Sequence, residues 1–487
     1  MLVALVLRLF HLGHQSLWID EIFSWRAASP HGSFNWGDFF INTHGPLLAA
    51  MSHAQVLLLG DAEWALRLPF AIASVLLVPA VAFLARRAAG PKAFLWAAWI
   101  VALSPLVTWY GQEMRNYAFV FLWSALACER TLAYRETGRA ADLALLALWS
   151  AVAFLTNLNA IMLVPVLFLA LLVSPPRGRP RVWPLLVAGA AIGIVLLPWA
   201  LQYIHLLELQ RLVPGRAPLP DEAPLRGATT FTWAAIPYTF FVDAVGYTLG
   251  PSLRALHETS AGEAIRPHLV EIAATGLVFG MVALAGAWSL RGRRFTLALL
   301  LAVFLVPLVI VSYFAIMNFK TFNARYVSSG LPAWFALLAA GFAALPSRLR
   351  TVAAAVALLL CVASLRNHYF DPVYGKEDFR GAAAFLRAEV APADSVVATG
   401  GYAPIEYYLP GRYRVYWLGF AKDERMEPRF DAFLNRTGGA TWVVVSRPEE
   451  FDPPGRFERW LQVAHRPRVT TFPGVRVYRI APPDSLP

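Results

Sequence analysis

Apolar residues run through this chain in long blocks, with polar residues confined to the gaps between them. Blocks approaching the ~20 residues that cross a hydrocarbon layer recur from the first residue to about position 368. The short gaps hold basic clusters: Arg86-Arg87 with Lys92, then Arg130, Arg135 and Arg139, then Arg177, Arg179 and Arg181, then Arg291, Arg293 and Arg294, and finally Arg348 and Arg350. Lysine and arginine accumulate in cytoplasmic loops, so any segment joining two such gaps must cross the membrane an even number of times. The rule predicts about eleven crossings, near 1–13, 67–86, 92–110, 116–134, 142–156, 159–174, 182–204, 269–290, 295–317, 327–346 and 351–368. It divides the apolar stretch 143–173 into a hairpin turning at Thr156-Asn157-Leu158-Asn159. Counting the run 46–60 as a span would place Arg86-Arg87 on the wrong side, so a helix lying in the outer interface is predicted there. The first run, 1–12, is interrupted by Arg8 and His11 and is short for a span; its true start is expected upstream, and no cleavable signal is recognised.

The opposite side receives the loop 14–66, the turn 110–115, a long loop over about 205–267 and the loop 318–325. Beyond about residue 369 the pattern changes, and no run can span. Alternating periods predict a helix over 379–390, strands at 395–399 and 413–418, a helix over 425–435, a strand at 441–446 and a hairpin over 468–480 around Pro473-Gly474. An odd number of crossings places this tail outside. The expected architecture is a polytopic α-helical membrane domain, 1–369, whose external loop 14–66 carries the catalytic groups, followed by a small extracytoplasmic α/β domain, 370–487. There is no glycine-rich phosphate fingerprint and no internal repeat.

Composition agrees with the pattern. The 487 residues are 58% hydrophobic and 15% charged, against about 25% charged in soluble domains. The net charge of +11 would suggest nucleic acid in a soluble protein, but the cytoplasmic bias and anionic head groups account for it here, and no nucleic-acid partner is expected. The two cysteines, Cys128 and Cys361, lie in apolar runs and offer neither a disulfide framework nor a metal site.

Candidate chemistry collects on the outer side. Asp20 and Glu21 stand among Trp18, Ile19, Ile22, Phe23 and Trp25, where carboxylates are costly to desolvate. A carboxylate in such a site can take a proton from an acceptor hydroxyl or amine. His44 precedes Gly45-Pro46, and Arg67 sits at the outer mouth of a span. The turn Tyr110 to Tyr117 contributes Gln112, Glu113, Arg115 and Tyr117, and the loop 320–326 adds Lys320, Arg325 and Tyr326. Two cations and a tyrosine make a plausible clamp for a lipid phosphate. Structural roles compete at each position: Asp20-Glu21 as a helix cap, Arg67 as a snorkelling arginine, and the cationic loop as a contact for head groups. An acid pair can hold a divalent cation, but no cage of acids accompanies it; no cofactor and no obligatory metal are expected.

In order, Leu17-Trp18-Ile19-Asp20-Glu21, His44-Gly45-Pro46-Leu47, Leu66-Arg67-Leu68-Pro69, Ser104-Pro105 with the turn Tyr110 to Tyr117, and Arg325-Tyr326 ahead of Leu331-Pro332 resemble the C-type (GT-C) integral membrane glycosyltransferases. The branch is the family 39-like one, with protein O-mannosyltransferases and lipid A aminoarabinose transferases, and the resemblance covers roughly 1–370. It implies a GT-C fold and an inverting transferase that uses a polyprenyl-phosphate-linked sugar. Carried over residue by residue, it makes Asp20 the catalytic base and Glu21 the second acid, gives His44 and Arg67 to substrate binding, and sets Arg325 and Tyr326 near the lipid phosphate. The motif His-Gly-Pro-Leu has Gly45 where the family usually has proline, which is expected to loosen the start of that helix. The tail is not a β-trefoil, which favours bacterial branches over eukaryotic protein mannosyltransferases.

The expected activity is transfer of a sugar to a glycolipid, polysaccharide or protein at the outer face of a bacterial cytoplasmic membrane. A transporter or flippase of lipid-linked sugars is the alternative. It would show charges within spans and a repeat; there is no repeat, and the polar groups cluster at one face rather than at the midplane. A non-catalytic anchoring protein would give no reason for acids and cations to share one face.

Overall fold

The computed structural model describes residues 1–31, 45–176, 182–212, 231–317, 322–399, 402–410, 415–417, 426–448 and 455–482. The helices in chain order are α1 (Leu2–Leu9), α2 (Ile19–Ala28), α3 (Pro46–Leu59), α4 (Glu63–Ala89), α5 (Pro91–Leu103), α6 (Pro105–Gly111), α7 (Tyr117–Thr137), α8 (Ala140–Thr156), α9 (Leu163–Val173), α10 (Val182–Leu212), α11 (Ala235–Val245), α12 (Leu253–Glu258), α13 (Ala261–Ile265), α14 (Leu269–Ser289), α15 (Arg294–Ile316), α16 (Leu331–Ala344) and α17 (Ser347–Phe370). Proline opens α3, α5 and α6, where its missing N–H costs no hydrogen bond.

A helix stands at each predicted crossing. Among the described residues, six helices are long and apolar enough to span on their own, and the α5–α6 pair, bent by 55°, makes a seventh. The remaining positions fall on short helices (α1, α8 and α9) or on α7, which carries Glu129, Arg130, Arg135 and Glu136. Length and composition thus support six or seven spans, and the count of eleven is not established by them. The region 205–267, expected as a loop, contains the helices α11, α12 and α13.

The bend between α5 and α6 has a sequence cause. Pro105 cannot donate to the preceding turn, and the Ser104 hydroxyl takes over capping by accepting the Val107 N–H. The carbonyls of Val101 and Ala102, freed at the break, accept from Arg8 of α1. Arg8 is fully buried. Its charge interrupts an apolar run in the sequence because the broken helix opposite needs two donors.

Helix direction separates two ends of the bundle. Arg67 and Arg87 lie on the single helix α4, so about 30 Å separates them. At the Arg87 end, Arg87 pairs with Glu129 and Glu136, Arg130 pairs with Glu129 and Asp142, and Arg293 donates to the Ala88 carbonyl. The described basic clusters therefore meet at one end, and the acid-bearing loop lies at the other. Along the bundle, Gly286 of α14 and Gly341 of α16 bring two backbones together. A Cβ built at Gly286 would stand 2.1 Å from the Leu337 carbonyl oxygen, and one at Gly341 would stand 1.9 Å from that of Val282.

Gly45 departs from expectation. It adopts φ +88, and a Cβ there would lie 2.2 Å from the Leu155 carbonyl oxygen. Glycine does not loosen this helix start; it lets the chain cross the end of α8 in a conformation that proline's fixed φ forbids.

After α17 come α18 (Phe379–Glu389), β1 (Ser395–Thr399), α19 (Tyr402–Tyr408), β2 (Val415–Trp417), α20 (Met426–Leu434), β3 (Thr441–Ser446), α21 (Arg456–His465), β4 (Arg468–Phe472) and β5 (Val475–Ile480). The sheet order is β2-β1-β3-β5-β4, with β2, β1 and β3 parallel and the β4–β5 hairpin antiparallel. Val397 pairs with Val443, and Val444 with Val477. Every residue of β3 is buried, because apolar clusters cover both faces of the sheet. The elements expected from the pattern all appear; α19 and α21 were not foreseen.

Candidate active site

Five segments converge at the acid-loop end: residues 12–26, the start of α4, the turn 110–117, the segment 324–330, and the chain leaving α17. Residues 110–120 are all buried, so the polar turn is not a solvated loop.

Glu21 forms its centre. It has no exposed surface. Arg67 Nε donates to its Oε1 and Nη2 to its Oε2, each at 2.8 Å. The Met114 N–H donates to Oε1 at 2.9 Å, and Lys376 Nζ approaches Oε2 at 3.1 Å. The backbone N–H of Trp18, at the N-cap of α2, also donates to Glu21 Oε2 at 3.4 Å. Burial alone would raise the proton affinity of this carboxyl. The charges of Arg67 and Lys376, with the bonds from Arg67 and Met114, outweigh it and hold Glu21 well below the usual carboxylate range.

Arg67 is equally committed. Its Nη1 donates to the carbonyls of Leu12 and Gln15, and its Nη2 also reaches that of Ser16. The guanidinium therefore pins the chain entering α2 as well as Glu21. Gln112, on the next turn, donates to the carbonyls of Leu7, Arg8 and Phe10 and accepts from His368, and so closes the end of α1.

Asp20 is placed differently. Its side chain keeps 25% of its surface exposed. Arg325 Nη1 lies 3.2 Å and Arg115 Nη2 3.5 Å from its Oδ2. Arg115 also donates to the Asp20 carbonyl and the Ser24 hydroxyl. Arg325 is the second residue of a short 3₁₀ helix, 324–330, capped by Asn323, and lies over the Tyr326 ring at 5.6 Å. Tyr117 is buried with its ring centroid 4.6 Å from that of Tyr110, and the Tyr110 and Tyr247 hydroxyls are 2.9 Å apart. Arg325, Arg115 and Asp20 are the charged groups that act on Tyr117.

Glu113 and Lys376 lie beneath. Glu113 is buried, with its Oε1 3.4 Å from Lys376 Nζ. Burial, together with the nearby Glu21 and Asp20 charges, holds its proton affinity above the usual carboxylate range in spite of Lys376 and Arg115. Lys376 also stands near the Trp18 and Trp109 rings, 5.8 and 5.9 Å from their centroids.

The structure thus brings together Asp20, Glu21, Arg67, Glu113, Arg115, Tyr117, Arg325 and Tyr326, and sets Gln112 at their edge. His44 and Lys320 lie outside the described residues. Sequence reasoning missed Lys376, Tyr247 and His368. A signal for Lys376 exists: it is one of four lysines in a chain with 38 arginines, and it follows a span directly. Among the described residues, no three His, Cys, Asp or Glu side chains gather into a set that could hold a metal.

The segments after α17 also brace the acid loop. The Tyr408 hydroxyl accepts the Leu17 N–H at 2.7 Å and donates to Glu63. Ser16 donates to the Glu377 carbonyl, Arg26 pairs with Glu406, and Arg380 pairs with Glu63. Trp25 donates to Asp61 and packs edge-on against Tyr407.

Comparison with known proteins follows this geometry. Residues 43–201 match the family described as dolichyl-phosphate-mannose-protein mannosyltransferase. No curated protein matches the chain by sequence. The crystal structure of ArnT from Cupriavidus metallidurans in the apo state superposes with a TM-score of 0.61 at 16% identity, covering 98% of this chain and 96% of that one. The same protein bound to undecaprenyl phosphate gives 0.60 at 15% identity, covering 100% and 98%. The chain has the fold seen in ArnT, in keeping with the GT-C fold that the order of its motifs implied, and residues 43–201 are similar to the mannosyltransferase family model.

Proposed function

We propose that this protein is an inverting glycosyltransferase that moves a sugar from a polyprenyl-phosphate-linked donor to an acceptor glycan, lipid or protein at the extracytoplasmic face of a bacterial cytoplasmic membrane. The observation that carries the reading is the contrast between the two acids. Glu21 is saturated with donors and closed to solvent, whereas Asp20 is partly open and faces two arginines. Asp20 is the base, and Glu21 and Arg67 are the strut that aims it.

In this reaction an acceptor hydroxyl or amine attacks the anomeric carbon from the side opposite the phosphate. Its proton passes to Asp20, and the carbon–oxygen bond to phosphate breaks with the electron pair leaving on the phosphate oxygen. Arg325 and Arg115 supply the positive charge that this oxygen needs. Both sit against Asp20 here, so an incoming phosphate would share them with the carboxylate. An apolar groove of about 270 Å³, lined by Leu59, Leu68, Pro69, Ile72, Phe119 and Trp123 among others, begins one residue from Arg67 and suits an isoprenoid chain. The polar groups collect at one end of the bundle rather than at its middle, which supports a transferase over a flippase. The segment 370–487 belongs, in this reading, to the same extracytoplasmic side.

The test is mass spectrometry of lipids copurified with the protein, followed by incubation with a panel of undecaprenyl-phosphate-linked sugars. A bound polyprenyl-phosphate sugar and its turnover support the reading. Absence of both, in protein that is folded, overturns it.

A further inference from the structure

Lys376 is not on a membrane helix. It lies between α17 and α18, and its backbone N–H donates to the Gln15 side chain at 3.2 Å. Its ammonium is driven inward: the side chain is 8% exposed and reaches Glu21 at 3.1 Å and Glu113 at 3.4 Å. With Arg67 these groups form a buried quartet of two acids and two bases. Among the described residues, Arg67 reaches Glu21 and donates otherwise only to backbone carbonyls. Lys376 is therefore the direct ionic link between Glu21 and Glu113.

Glu113 belongs to the turn that carries Arg115, and the Arg115 N–H donates to the Glu113 carbonyl. Arg115 in turn holds both the carboxylate and the carbonyl of Asp20. The charged groups acting on Glu113 include Lys376, Glu21, Arg115, Asp20 and Arg67.

We propose that Lys376 is a positioning residue that ties the segment following the last membrane helix to the catalytic loop, fixing the 112–116 turn so that Arg115 holds Asp20 in place. The proposal rests on the reading of Asp20 as base. It makes the membrane helices insufficient for the site, because one of its four buried charges comes from the chain beyond them. Without Lys376, Glu21 keeps its paired bonds from Arg67, Glu113 is left with no ammonium in contact, and the cheapest response is for Glu113 to keep its proton. The turn then loses its anchor.

The test compares full-length wild type, Lys376→Met, Lys376→Arg, Glu113→Gln and the double variant Lys376→Met/Glu113→Gln in detergent, using a panel donor that the wild type turns over. Lys376→Met is expected to lower kcat by about tenfold or more while KM for the donor stays within about twofold, which marks lost positioning rather than lost binding. Its acid limb in the kcat–pH profile moves to higher pH. Lys376→Arg recovers part of the rate, whereas adding Glu113→Gln to Lys376→Met changes the rate by less than about twofold, because a glutamine stands in for the protonated acid, and it abolishes the shift of the acid limb. A Lys376→Met rate within twofold of wild type, or an unmoved pH profile, overturns the proposal. If the wild type turns over no donor, the proposed function fails, and thermal unfolding against pH decides Lys376 alone. A loss of stability in Lys376→Met that deepens as pH rises and is relieved by Glu113→Gln supports the link; a loss that is independent of pH and unrelieved refutes it.

Discussion

Glu21 and Arg67 face each other through two parallel N–H···O bonds of 2.8 Å in a site closed to solvent. Removing either partner leaves the other charge buried and unmatched. Glu21→Gln and Arg67→Met are therefore expected to destabilise the protein by about 3–5 kcal/mol, the usual effect of breaking a buried pair from one side. Denaturant or thermal unfolding in detergent checks this. Asp20→Asn, at a partly exposed position, should leave stability nearly unchanged in the same assay.

The two buried acids make opposite contributions to pH stability. Glu21 is held below the usual carboxylate range, so its contribution is full above that range and is lost as pH falls toward Glu21's own low value. Glu113 is held above it, so its contribution is full at low pH and is lost as pH rises through its raised value. Stability attributable to this site should peak between those limits. Glu113→Gln should flatten the fall on the high-pH side and leave the acid side unchanged, as read from melting temperature against pH.

Arg325 is placed to meet a phosphate as well as Asp20. Arg325→Gln should lower kcat with the proposed donor by about 10²–10³-fold, the range for loss of one donor to a developing oxyanion. Arg325→Lys should recover only part, because a lysine cannot reproduce a planar fork. Turnover of the copurified lipid-linked sugar, or of a panel donor, measures both.

Glu21 cannot turn to share a cation with Asp20 without giving up bonds to Arg67 and Met114. In the proposed reaction the donor's phosphate is served instead by arginines. Transfer is accordingly expected to survive EDTA. Loss of activity on chelation, restored by Mg²⁺ or Mn²⁺, would contradict the assignment of these arginines.

Much of this was legible in the chain. Basic gaps and apolar runs placed the helices, because hydrocarbon admits few alternatives for the backbone. Short apolar runs and the Pro473-Gly474 turn located the five strands among the described residues. The different roles expected of Asp20 and Glu21 came from the resemblance and not from the residues themselves. Asp20 and Glu21 are neighbours in sequence, and only the helical turn at Trp18 sends one into Arg67 and the other toward Arg325. Arg67 and Gln112 look like substrate ligands in one dimension. In three, their donors are spent on the carbonyls at the end of α1 and in the chain entering α2. Lys376 was missed because its partners lie 355 residues away in the case of Glu21, and no local pattern encodes such a contact.

The central claim is that Asp20 takes the proton of the acceptor. The direct measurement is single-turnover sugar transfer by Asp20→Asn, with the lipid donor bound and the protein shown to be folded. The account predicts a rate at least about 10²-fold below wild type with donor affinity retained. Transfer at a near-normal rate would contradict it and remove Asp20 from the role of base.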